Sequence, residues 1–148
     1  MRAFVIFFSV LFFVGCDGGP TKDELAEQEF KKLVEPFLPQ LTPMLESTES
    51  TEDPSISLEH SSKLETLTKS LPKIAHNTKL ILIRESLMII QRGFKQVADN
   101  QKRLNECDPS DSRQDATREK CQKKIKEALA TIREYVGIIN QSAPSFLR

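Results

Sequence analysis

Tryptophan is absent from this sequence of 148 residues, tyrosine occurs once, at Tyr135, and glycine five times. Sandwiches and barrels are built from short strands rich in aromatic and β-branched side chains joined by glycine-bearing turns, so a β architecture lacks its material here. A surplus of one charge is missing too, since 21 basic and 21 acidic side chains cancel. Binding along a phosphate backbone demands a basic surplus, and nucleic acid is therefore not an expected partner. Histidine occurs only at His60 and His76, with no Cys-x-x-Cys, no glycine-rich phosphate loop and no serine in a nucleophile motif. The acids of residues 46–53 lack the spacing of a calcium loop. No catalytic residue, cofactor or metal site is expected, and the chain does not read as an enzyme. His60 falls four residues before Leu64 on an apolar stripe, where a hydrogen-bonded or half-exposed structural histidine is expected.

Long apolar runs are equally scarce. The one present, Ala3 to Val14 broken only by Ser9, is far shorter than the roughly 20 residues of a spanning helix. With Arg2 before it and Gly15 after it, it has the three-part layout of a secretory signal peptide. Phe13 is too large for the ordinary signal peptidase, which selects small residues at the first and third positions before the bond. The stretch Phe13-Val14-Gly15-Cys16 instead resembles the lipobox of bacterial lipoprotein precursors, although Leu followed by Ala or Ser is the commoner form of its first two positions. That resemblance implies removal of residues 1–15, a diacylglyceryl thioether on Cys16 and often a third, palmitate-like acyl chain on its amine. Stable anchoring takes two lipid signals or more, so such a protein stays on its bilayer in the cell envelope, facing the periplasm or the exterior. Asp17 resembles the inner-membrane retention signal of enterobacterial lipoproteins. A plain secreted protein, cut after Cys16 or Gly18, is the alternative.

Long windows of Leu, Ile, Lys, Glu, Gln and Arg favour helix. After a tether over residues 16–21, Thr21 and Glu24 form a capping box, and a first helical region over 22–46 is interrupted by Pro36, Pro39 and Pro43. An acidic loop is expected over 47–56 and a second helix over 57–75. In a third helix, over 78–105, Leu80, Ile83, Leu87, Ile90, Phe94, Val97 and Leu104 fall at steps of three and four, with Gln101 the only polar member of the row. Ile81, Leu82, Met88 and Ile89 widen its apolar face. A fourth helix over 113–141, ending before Pro144, carries Ile125, Leu129, Ile132, Val136 and Ile139. The expected fold is all-α, a bundle of about four helices over 22–148 that ends in a long antiparallel hairpin.

With Cys16 acylated, Cys107 and Cys121 remain as an even pair in an exported protein. Facing residues of an antiparallel hairpin have position numbers of constant sum. The cysteines give 228, and Leu104 with Ile125, Val97 with Ile132 and Ile90 with Ile139 each give 229. A Cys107–Cys121 disulfide is expected, worth roughly 3 kcal/mol in the chain-entropy model.

Charge is unevenly spread. Residues 17–60 carry 3 basic and 11 acidic side chains, residues 61–112 carry 9 and 6, and residues 113–148 carry 8 and 4. Two non-enzymatic functions fit. One is a protein-binding module at the membrane surface: an inhibitor, an immunity or exclusion factor, or a subunit of an envelope complex. The other is a structural spacer that assembles with copies of itself. Exposure of part of the apolar face of residues 80–90 favours the first, since exposed apolar patches mark interaction sites.

Overall fold

The structure is a computed structural model and describes residues 19–146; the signal segment 1–15 and Cys16 lie outside the described residues. The architecture is all-α: α1 (Lys22–Val34), a 3-10 turn (Leu38–Gln40), α2 (Leu41–Glu49), α3 (Pro54–Ser70), α4 (Thr78–Asn105), a second 3-10 turn (Ser112–Gln114) and α5 (Asp115–Phe146). Thr21 caps α1 and Glu24 completes the box.

Local chemistry accounts for where these boundaries differ from expectation. The loop expected over 47–56 shrinks to residues 50–53, because α2 continues to Glu49 and α3 already begins at Pro54. Asp53 accepts from the backbone N–H of Ser55 at 2.8 Å, and Pro54 takes the first helical position, where its missing N–H removes no bond. The second helix stops at Ser70 rather than residue 75, since Pro72 holds Leu71 extended at φ −67° and ψ 131°. Asn77 caps α4, accepting from the N–H of Leu80 at 3.3 Å. The last helix does not end before Pro144 but runs through it. The carbonyl this leaves without a donor belongs to Asn140, an exposed residue that water can serve.

The largest interface joins α4 to α5 and the next joins α3 to α4. Contacts along α4 and α5 progress in opposite senses: Arg118 donates to the carbonyl of Asp108 at 2.7 Å, whereas further along Gly93 lies against Ile132. The core contains Phe30, Val34, Leu41, Leu64, Leu87, Phe94 and Ile132, all fully buried, so α1, α2 and α3 are integral to one packed body.

Hydrogen bonds fix the register of α3 on α4. Ser57 Oγ donates to Gln101 Oε1 at 3.1 Å, and Gln101 Nε2 donates to the carbonyl of Thr51 at 3.0 Å. Gln91 Nε2 donates to Ser61 Oγ at 3.1 Å. The polar interruption of the apolar row at Gln101 is thus a clamp that holds the 50–53 connection against α4. Alongside it, His60 Nε2 shares a 2.8 Å hydrogen bond with Ser47 Oγ and meets the Phe94 ring edge-on at 5.4 Å. Burial pushes the His60 pKa below its ordinary 6.5, with Lys63 acting in the same direction and Glu59 opposing.

The start of α1 lies at the pole where α3 gives way to α4, since Asn77 Nδ2 donates to Glu27 Oε2 at 3.0 Å. Residues 19–21, which lead into α1, therefore lie at this pole. At about 1.5 Å per residue α4 runs about 42 Å away from it.

Candidate functional site

The two sides of α4 differ in kind. Its inner row is buried from Leu80 to Gln101. The outer row, Leu82, Glu85, Ile89, Arg92, Gln96, Asn100 and Arg103, also recurs at steps of three and four and so forms a stripe on one face. Over the half nearer the start of α1 this face carries apolar side chains around the exposed Glu85. Leu82 is 42% exposed and Met88 37%, with Ile81 and Ile89 half-buried beside them. Ile81, Leu82 and Glu85 line an open hollow of about 370 Å³ there.

Over its second half the same face borders α5, and the two helices enclose a groove of about 290 Å³ whose walls include Gln96 and Asn100 on one side and Lys124, Glu127 and Thr131 on the other. Asn100 is 8% exposed, its Nδ2 donating to the carbonyl of Gln96 at 2.7 Å. That bond fixes the amide orientation and leaves Oδ1 buried without a donor among the described residues. Lys120 and Lys124 project from α5 beside the groove and Arg92 and Arg103 from α4. All four are exposed, and none forms an ion pair among the described residues.

A second concavity, of about 350 Å³, opens on another side of the hairpin, floored by Leu104, Ile125 and Leu129. Thr48 lines it with a buried hydroxyl that has no partner among the described residues. Arg133 forms an ion pair with Glu49 on its flank.

The expected disulfide is absent: Cys107 and Cys121 are both free thiols. Position sums fix height along a hairpin but not the direction in which a side chain leaves its helix. Cys107 lies in the connection beyond the end of α4 at Asn105, and its Sγ turns back to the carbonyl of Arg103 at 3.2 Å. Cys121 sits in the inner row with Ala128 and Ile132 and is 4% exposed.

The histidines do not converge. His60 is packed in the core and His76 is exposed in the connection before α4. Among the described residues no group of three His, Cys, Asp or Glu side chains is placed to hold a metal ion, and no helix is long and apolar enough to cross a membrane. Of the acids in the 46–53 stretch, Asp53 serves as the α3 cap, the Ser55 backbone N–H holding its carboxyl below the usual range.

The groove went unread in the sequence because it needs two rows at once. The basic surplus of residues 113–148 and the polar row of α4 are each visible, but their meeting depends on helix packing. No family model, curated protein or solved structure matches this chain.

Proposed function

We propose that this protein is a lipid-anchored module of a bacterial cell envelope, held by acyl chains on Cys16, that binds another protein through the outer face of α4 and performs no chemistry of its own. The observation that carries the reading is the exposed apolar half of that face. Leu82 and Met88 stand in solvent beside Ile81 and Ile89 on a helix whose opposite side is fully buried. A solvated surface helix usually turns charged residues outward, and a contiguous apolar patch marks an interaction site. Anchoring is supported by the Phe13-Val14-Gly15-Cys16 stretch, with residues 19–21 at the pole nearest this patch.

The test compares three proteins in the native host. The unaltered chain is expected in the membrane fraction with a reproducible cross-linked partner. Cys16→Ser should abolish acylation and membrane retention. Leu82→Asp with Met88→Asp should remain lipidated and folded but lose the partner. A serine variant still cleaved after Gly15 and still on the membrane would refute the anchor. An unchanged cross-linking profile in the aspartate variant would refute the binding face.

A further inference from the structure

Beyond Arg92 the same row of α4 turns polar and leads into the groove shared with α5. The helix segments that bound that groove are basic overall, while its own lining holds one basic and one acidic side chain, Lys124 and Glu127. Residues 92–103 and 118–127 together carry nine basic side chains against three acidic ones, whereas residues 22–70 carry five against eleven. The neutral total conceals a molecule with a basic hairpin and acidic first helices. Within the basic region Arg118 is paired with Asp115, while Arg92, Arg103, Lys120 and Lys124 have no ion-pair partner among the described residues. Their charge is available to a ligand.

We infer that the groove between α4 and α5 receives an acidic, extended segment of the protein partner, with its carboxylates on Lys120, Lys124 and Arg103 and a backbone N–H directed to Asn100 Oδ1. This deepens the reading of the α4 face as a protein-binding surface and rests on it. The lysines and Arg103 provide complementary charge at the end of the groove away from the start of α1. Glu127, on its wall, disfavours a carboxylate next to Thr131 and so gives the segment a direction. Asn100 contributes what charge alone does not. Its Oδ1 is a buried acceptor lacking a donor among the described residues, and a peptide N–H, which every residue of a bound segment except proline carries, is the donor that would satisfy it.

Two other polyanions fit less well. A bilayer of anionic lipid is flat and cannot enter a groove, and phosphate oxygens offer no donor to Asn100. In addition, Asn100 lies about 33 Å along α4 from the pole where α1 begins, at about 1.5 Å per residue. Nucleic acid would have to tolerate Asp99, Glu119 and Glu127 along its path, with no aromatic side chain in the groove on which a base could stack.

The test uses the full chain in non-ionic detergent and a fluorescein-labelled peptide of alternating Glu and Leu, read by anisotropy at physiological salt. Saturable binding is expected. Lys120→Glu with Lys124→Glu should weaken it by about tenfold or more, because like charges then face the peptide. Lys22→Glu with Lys73→Glu, which changes net charge equally at the pole where α1 begins, should leave affinity within about twofold, the range of non-specific field effects. Asn100→Leu, which removes the unpaired acceptor and preserves bulk, should weaken binding by about threefold or more. No saturable binding, or equal weakening by the two charge-reversed pairs, would overturn the inference. So would tighter binding to phosphatidylglycerol vesicles or to a single-stranded oligonucleotide than to the peptide. Partner cross-linking lost in the Leu82 and Met88 variant but retained in the Lys120 and Lys124 variant would sink the groove assignment alone and leave the proposed function standing.

Discussion

Ile132 fills the space that a side chain at position 93 would occupy: a Cβ built on Gly93 lies 2.6 Å from Ile132 Cγ1 and 3.1 Å from its Cδ1. Gly93 is therefore a point of close approach between α4 and α5. Alanine would gain about 1 kcal/mol in helix propensity, but overpacking a filled core costs roughly 1–3 kcal/mol, and Ile132 is fully buried. Gly93→Ala should lower stability by up to about 2 kcal/mol in urea unfolding. In an Ile132→Ala background the same change should be neutral or stabilising, and equal cost in both backgrounds would contradict the contact.

Gln101→Leu should destabilise the protein although it restores the apolar row. Ser57 is fully buried, and its hydroxyl would lose the Gln101 acceptor, a loss of about 1–3 kcal/mol. The carbonyl of Thr51 would lose its donor as well, so amide exchange over residues 50–53 should accelerate. An unchanged exchange pattern would show that Gln101 does not hold that connection.

The class of the fold was legible in the sequence, and the physical reason lies in periodicity. Steps of three and four at Leu80 through Leu104 and at Ile125 through Ile139 leave few alternatives to paired helices. The prolines that divide α1 from α2 were equally plain. Less legible was the start of α3, where the Asp53-Pro54 signal was masked by the polarity of the stretch around it. The disulfide failed for a different reason. Height along the seam is encoded in position numbers, but the way Cys107 turns in the connection beyond Asn105 emerges only from the packing. The groove at Asn100 shares that dependence on packing.

Stability should fall as pH drops below about 6.5. His60 is nearly buried and its folded pKa lies below its ordinary 6.5, so the unfolded chain takes up the proton first. The neutral form's contribution is complete above 6.5 and is lost as pH falls toward the folded value. The carboxylates with lowered pKa, among them Asp53, Asp108 and Asp111, act only at lower pH. Urea midpoints measured from pH 8 down to about pH 5 should slope in the native protein and flatten in His60→Gln. A slope of equal size in both would assign the effect elsewhere.

The two thiols should react differently. Cys107 is half-buried at the end of α4 and Cys121 lies in the seam. Brief treatment of the soluble chain with iodoacetamide should label Cys107 alone, and labelling of Cys121 should require denaturant. Peptide mapping that finds Cys121 labelled first, or the two sulfurs joined, would contradict the arrangement of α4 against α5.

The central claim, that the outer face of α4 is where a partner protein sits, is tested most directly by photo-cross-linking in intact cells. A benzophenone amino acid placed at Met88 would report on that face, and one placed at Leu58, which is 52% exposed on α3 and so more accessible than Met88, would serve as the control. The account expects a discrete adduct of higher mass from position 88, containing a second protein, and none from position 58. Adducts of equal yield from both positions, or from position 58 alone, would contradict it.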